Sequence, residues 1–492
     1  DFCLSRGLGD VYKRQGNTES TALFNMSLYF DEFEDCHKPL EDYDYQAGSN
    51  GKSGGWRALA AYRLILKGGE IMFPDGAVTE VPMGYSDYAL GGFVSAFNTA
   101  ESANMQDEFP EEIIDYMERI IEYLIYMGAP DGTGYSQGNS EDHKSTAALT
   151  RSKWLNNKTD NDLIRWYASG KKLGPAPKET SRIYPIGLKY ISRSGWGDEG
   201  VGSHFNADGA CNVHGHADDL TFDLFAYGDH LLVDNGVMDY SDSDIRAWQI
   251  STRAHNTIEI NGVGQRTPKW SLSSVKKDPF TGETLYLPDE SPVTKDADGN
   301  QINYDSLGHK YEPGYFMDTE LNDGYDYVRG GTNNYKNRTL AAKNLKWNDY
   351  AYERSVFFVR PDFYLITDYL DPLTDKNEVN TYEQRWHTMP GVTVNIDDTT
   401  GQARTSGQDA SVIIAPVAQE EPLDATVESG YYTPATGSVM ETQHALYTKK
   451  AAGTTTMNTV IYPVAPGKDF TVSTQNLELS VPESAALSLI HI

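Results

Sequence analysis

The sequence predicts an α+β chain of more than one domain, helical hairpins first and an antiparallel β region after them. Three observations carry this. Up to about residue 170, apolar residues recur at the three- and four-residue spacing of helices. From about residue 182 the apolar period changes to two, the spacing of half-buried strands. Between them, LGPAPKETS (173–181) is a proline-rich linker.

The clearest helix is PEEIIDYMERIIEYLIYMG, with Pro110 at a first-turn position and Gly128 just past its end. Ile113, Met117, Ile120, Ile121, Leu124 and Ile125 give it one broad apolar face. Further helices are expected at 18–30 (Leu23, Met26, Phe30), 56–66 (Trp56, Leu59, Ala60, Leu64) and 159–169, which ends at Gly170. Loops rich in Gly, Asn, Asp and Ser, such as AGSNGKSGG (47–55), separate them.

In the second part, DLTFDLFAYGDHLLVD alternates through Leu220, Phe222 and Leu224, turns at Gly228-Asp229 and returns through Leu231–Val233. NTIEINGVG alternates Ile258 and Ile260 before Asn261-Gly262, a strong hairpin signal. ERSVFFVRPDFYLITDYL is a hairpin around Arg360-Pro361-Asp362. Strands are expected at 382–388, 410–416, 444–449, 457–462 and 470–480, and the polar stretches 264–300 and 305–345 read as insertions.

Composition removes several function classes. The chain has 492 residues, with 41 Lys+Arg against 71 Asp+Glu and a formal charge of −30. That argues against a general nucleic-acid binder, which needs a basic surface, but leaves room for a polyanion held in a local basic cleft. No apolar run approaches the roughly 18 residues of a membrane span. Three cysteines make no disulfide framework, and Cys36 and Cys211 lack zinc-ribbon spacing. Tyrosine outnumbers phenylalanine, 32 to 17, and amphipathic rings suit wet, hydrogen-bonding clefts.

Both ends read as foreign to the fold. DFCLSRGLGDVYKRQ (1–15) has no apolar period and joins abruptly to GNTESTALF, and LSLIHI (487–492) comes after a polar strand-like stretch without a turn signal. Both resemble translated sequencing-adapter read-through. The expectation is a fragment, 16–486, cut at both ends, with any export signal lying upstream. Within it, 16–175 forms the helical domain and 182–486 the β domain.

The densest cluster of chemical side chains is NVHGHADDLTFDLFAYGDHLLVDNGVMDY. His214-Gly215-His216 on a strand would project both imidazoles to one side. Asp234 ends the next strand, where a hairpin brings it back beside His216, and His255 heads a third strand. Two imidazoles and a carboxylate at neighbouring strand ends suit Zn²⁺. His214-Gly215-His216-Ala217-Asp218 also fits the H-x-H-x-D stem of two-metal metallo-β-lactamase-type hydrolases. That family wants histidine where this chain has Asp219, and an α/β alternation that is lacking here.

A closer resemblance is carried by three blocks: H-G-H-A-D-D-L-T-F, then L-L-V-D-N-G, then T-R-A-H-N-T-I-E-I-N-G. In order and spacing they resemble the heparinase II/III-type polysaccharide lyases, a group that includes alginate and oligoalginate lyases. Upstream, F-P-D-G-A-V-T-E-V-P-M-G-Y-S-D-Y-A is similar to the family's D-G-x-x-x-E…Y-x-x-Y-A segment, and Y-E-Q-R-W-H (382–387) to a recurring β-domain strand. The resemblance implies an incomplete (α/α) toroid followed by an antiparallel β-sandwich. It implies His216, Asp234 and His255 as ligands of one zinc ion that is structural, and Tyr85 as the catalytic tyrosine. His214 matches an active-site histidine, and Tyr240 falls near a second cleft tyrosine. Glu80, Tyr88, Arg246, Arg253 and His387 are the candidates for substrate contact, the arginines by bidentate pairing with carboxylate or sulfate. One departure is the family's Asn-His pair, some 50–60 residues before the tyrosine. The region 25–35 has none, and the nearest candidates are Asn17, followed by Thr18, and His37.

The implied activity is β-elimination on an anionic uronic-acid polysaccharide, in a secreted or periplasmic setting. Without the Asn-His pair, a catalytically idle sugar-binding relative is the alternative. The substrate's identity and the oligomeric state are not legible in these residues.

Overall fold

The computed structural model describes residues 18–42, 52–73, 75–78, 83–108, 111–141, 147–207, 215–238, 240–241, 243–265, 276–277, 279–285, 314–332, 334–335, 349–417 and 423–474. The two ends that read as foreign lie outside this set. The chain divides into two compact units, Asp1–Ile125 with Thr146–Ala176, and Tyr126–Ser145 with Pro177–Ile492.

The first unit is helical: residues 18–29, Glu34–His37, Trp56–Ile71, Met83–Ser102, Glu111–Met127 up to residue 125, Ala148–Leu155 and Asp162–Ala168. The six apolar residues named for Glu111–Met127 are all buried, and the helix stops one residue before Gly128. Asn161 caps Asp162–Ala168 by accepting from the Ile164 amide at 3.2 Å. One reading needs correcting. The helix 18–29 buries Thr21, Phe24, Ser27 and Leu28, while Met26 is exposed, so its inward face is rotated from the one expected. Met83–Ser102 is a helix twenty residues long whose extent the apolar pattern does not show, because small residues at 84, 86, 89, 91 and 92 blur its stripe. No described helix is long and apolar enough to cross a membrane.

The second unit is built from three antiparallel sheets. Arg182–Tyr184, Lys189–Arg193, Val201–Asn206, Thr221–Ala226 and Asp229–Leu232 follow one another in a five-stranded sheet. Asp424–Ala435, Ser438–Ala452, Val379–His387 and Ile258–Ile260 form a four-stranded sheet in that order. The eight-stranded sheet runs Tyr315–Leu321, Tyr325–Thr332, Tyr350–Val359, Phe363–Pro372, Thr455–Val464, Ser411–Pro416, Ala403–Ser406 and Thr393–Ile396. One apolar core draws on all three. Phe222 of the first sheet meets Tyr364 of the third at 5.2 Å and Trp386 of the second at 6.3 Å. Burial alternates along Phe363–Pro372, as a strand with one face on a core requires.

Three β readings also change. Asn261-Gly262 does make a positive-φ turn, but only Val263 bridges back to Ile260; Ile258–Ile260 pairs instead with 382–384. The stretch 305–345 is not all insertion, since Tyr315–Leu321 and Tyr325–Thr332 are sheet strands. Residues 470–474 are not a strand, and 475–480 lie outside the described residues.

Candidate functional site

Gly215 and His216 of the H-G-H block are not on a strand. Described residues 215–220 form an irregular approach to Thr221–Ala226, turned by Leu220 at φ +64°. It is held by backbone and side-chain bonds: Ala217 N–H donates to Ile250 O at 3.0 Å and Asp219 N–H to Gln265 Oε1 at 2.8 Å. The Asp219 carboxylate accepts from Thr332 and Asn334, and its carbonyl from Thr257, so Asp219 is a structural clamp.

That clamp aims its neighbour inward. Asp218, Asp234 and His255 each offer a ligand atom within 4.8 Å of the others, and all three residues are fully or almost fully buried. His255 Nδ1–H donates to Asp234 Oδ1, which also accepts from the Asn235 amide at 2.7 Å. The atoms left over share one property. Both Asp218 oxygens, Asp234 Oδ2 and His255 Nε2 are buried and hydrogen-bonded to none of the described residues. Buried polar atoms are ordinarily satisfied, so a buried trio with unpartnered ligand-type atoms is the candidate holder of a cation. Charge balance agrees. Burial pushes the Asp218 carboxyl well above the usual carboxylate range, and Asp234 and Asp219 push it further against the pull of His255. A bound cation would reverse that cost.

His216 stands beside this trio rather than in it, its ring 5.2 Å from that of His255. Its Nε2–H donates to Asn139 Oδ1 at 3.0 Å, which makes Nδ1 the nitrogen that carries the lone pair. Asn139 comes from the stretch 126–141, which belongs to the β unit. The same stretch sends Gln137 to His204 at 2.8 Å, and His204 Nδ1–H donates to Asp223 at 3.1 Å. From sequence, Asp218 enters only as the last residue of the H-x-H-x-D stem, and Asn139 not at all. The H-x-D spacing after His216 was a usable signal for the first; a Gly- and Ser-rich loop gave none for the second.

The other candidates scatter. Arg246 is buried, with its guanidinium 5.4 Å from the ring centre of the exposed Tyr240. Arg253 is paired with Glu259 at 3.1 Å and Glu283 at 3.4 Å. His387 is buried against Asn256, Trp248 and His444, and burial followed by nearby positive charge keeps its imidazole neutral well below the usual histidine range. In the helical unit, Tyr85 lies in the first turn of Met83–Ser102, with its side chain outside the described set. Tyr88 is exposed on the same helix, its hydroxyl 3.3 Å from Thr18 Oγ1. It lines an open groove of 590 Å³ with Thr18, Asn25, Asp87 and Arg151. Asn17, Glu80 and His214 lie outside the described residues.

Comparison with known proteins bears on both units. Residues 205–462 match the family described as heparinase II/III-like, C-terminal, and residues 51–166 the heparinase II/III N-terminus. A heparin-sulfate lyase of Pedobacter heparinus is 26% identical over 229 residues, which is 44% of this chain and 35% of that protein. One from Bacteroides stercoris is 24% identical over 260 residues, 51% of this chain and 36% of the relative. Among solved structures, heparan sulfate lyase HepC from Pedobacter heparinus superposes with a TM-score of 0.71 at 18% identity, over 94% of this chain and 61% of that one. A heparinase III structure gives 0.67 at 16% identity, over 94% of this chain and 63% of that one. The fold is therefore the one expected, toroid-type helices followed by a β-sandwich.

Proposed function

The chain belongs to the heparinase II/III family, and from that premise we propose that it cleaves a uronic-acid-containing polysaccharide by β-elimination. We further infer that Asp218, Asp234 and His255, with His216 beside them, hold a structural zinc ion. The observation that carries the reading is the convergence of the three sequence blocks on one buried group of potential ligands, Asp218, Asp234 and His255. Zinc bound there would tie 216–218, 234 and 255 into one rigid corner of the β unit. An extracytoplasmic setting goes with such a substrate.

The reaction sets its own requirements. A base takes the C5 proton of the uronate, the C5–H electrons become the C4=C5 double bond, and the C4–O bond breaks toward the leaving sugar oxygen. That oxygen then takes up a proton. Removing a proton beside a carboxylate builds further negative charge there, so donors that neutralise the carboxylate lower the barrier by several kcal/mol in a dry cleft. Asn17 and His214 are this chain's candidates for that task. Tyr85 is the candidate base. Its phenol, with an ordinary pKa of about 10, needs positive surroundings to act as phenolate. The phenol formed then returns its proton to the leaving oxygen, so one residue serves both steps.

The test is turnover of purified uronic-acid polysaccharides, followed by the ultraviolet absorbance of the unsaturated product. The expected result is product from at least one polymer and none with Tyr85→Phe. Full activity in that variant would overturn the role of Tyr85. No unsaturated product from any polymer would favour an idle sugar-binding relative.

A further inference from the structure

Beside the helix Asp244–Gln249, the β unit holds a hollow of 160 Å³, apart from the donor trio. Trp248, Arg253, Phe280, Thr281, Glu428 and His444 line it. One wall is aromatic. Phe280 lies 4.1 Å from Tyr431 and 5.9 Å from Trp248, so the three rings brace one another. The lining also presents a carboxylate. Glu428 Oε2 accepts from Arg385 Nε at 3.1 Å and from His444 Nε2–H at 2.9 Å, and Oε1 accepts from no described residue.

The charges around the hollow are already spent. Arg253 is engaged by Glu259 and Glu283, Arg385 by Glu259, Glu383 and Glu428, and His444 by Glu428. What the space offers a ligand is aromatic rings and a carboxylate oxygen, with Ser429 also in the lining. A ring with apolar C–H faces and outward donors fits such walls. A sulfate or carboxylate here would sit against Glu428 in half-buried surroundings and be repelled. Burial alone would raise the Glu428 carboxyl. The hydrogen bond from His444 and the charge of Arg385 hold it down to about 2, so it is ionised at neutral pH.

We propose that this hollow is a subsite for one pyranose ring that presents hydroxyl or ammonium donors and carries no negative charge, as an unsulfated hexosamine does. The assignment rests on the polysaccharide reading above for its place in a polymer, but not for its chemistry. Its position supports the link: the His387 ring lies 4.4 Å from that of His444 and feels the charge of His255, so the hollow neighbours the donor cluster.

The test is saturation-transfer NMR and calorimetry on the full chain with methyl glucosaminide, its N-sulfated form and methyl glucuronide. The unsulfated amino sugar is expected to bind at least about tenfold more tightly than either anionic ring. Glu428→Gln should remove that preference, and Phe280→Ala should weaken the unsulfated ring at least about fivefold. If Glu428→Gln fails to fold by circular dichroism, Phe280→Ala decides. Equal binding of sulfated and unsulfated rings, no binding of either, or binding untouched by both variants would overturn the proposal. None of these readouts needs turnover. A chain that binds selectively but never forms product keeps the subsite and loses the lyase reading; an active chain that binds without selectivity does the reverse.

Discussion

Arg354 and Asp368 meet in two parallel hydrogen bonds, 2.6 and 2.9 Å long, with neither side chain reached by solvent. The remaining guanidinium nitrogen, Nη1, donates to Leu220 O at 2.8 Å and Asn256 O at 2.5 Å. Those carbonyls belong to the two segments that carry Asp218 and His255. A buried ion pair in the sandwich core thereby fixes the corner where the donor cluster forms.

Removing one partner leaves the other charge buried and uncompensated. Arg354→Met is expected to cost about 3–5 kcal/mol of unfolding free energy, and Asp368→Asn nearly as much. Urea titration followed by circular dichroism measures this. A loss below about 1 kcal/mol would show that the pair does not hold the corner.

Zinc should stabilise the folded chain and leave with a chelator, lowering the melting temperature, because the ligand set exists only in the native state. Asp218→Asn separates two effects. Without metal it should be neutral or stabilising, since burial already disfavours the Asp218 carboxylate; with zinc it should lose most of the metal-dependent rise in melting temperature. Asn139→Ala, which releases the His216 ring, should weaken zinc about 10- to 100-fold in a chelator competition. Elemental analysis finding no zinc after chelator-free purification would refute the site.

The Glu259–Arg385–Glu383 group gives a pH signature. Burial pushes the Glu383 carboxyl up to about 7, with Glu259 adding to the rise and Arg385 opposing it. The folded chain then holds a proton that the unfolded chain releases between pH about 4.3 and 7, so stability falls as pH rises through that window. Glu383→Gln should remove that fall, worth roughly 3 kcal/mol. Denaturation midpoints across the window, compared between the two proteins, measure it. Parallel curves would sink the assignment.

Gly236 explains one position of the L-L-V-D-N-G block. A Cβ there would lie 2.4 Å from Ser140 O and 3.0 Å from Thr433 O, both backbone atoms that cannot swing aside. Val237 N–H also donates to that Ser140 carbonyl at 3.0 Å. Gly236→Ala should therefore cost about 2–4 kcal/mol and displace Asn139 from His216. Thermal melting gives the first effect and zinc affinity the second; an unchanged protein would mean the strap yields freely.

Legibility followed burial pattern. Glu111–Met127 shows its face because large apolar residues repeat along it, and Phe363–Pro372 because one side of it lies on the core. Met83–Ser102 hid behind small residues. Tyr315–Leu321 is an edge strand exposed over most of its length, which leaves no alternation to read. In the site, Asp234 and His255 were legible because strand ends carry them. Asp218 was overshadowed by the H-x-H pair, and its neighbour Asp219 has a carboxylate of the same kind spent on Thr332 and Asn334. Asn139 lies 77 positions from His216, and no local rule joins them.

The β unit is not one continuous stretch of gene. Tyr126–Ser145 is encoded within the helical half yet supplies the partners of His204 and His216. A recombination that joined the β region to another protein at the 173–181 linker would transmit the sheets without their strap. Two core histidines would then face empty space. Such shuffling would tend to be purged, so the two halves are expected to travel through evolution as a pair.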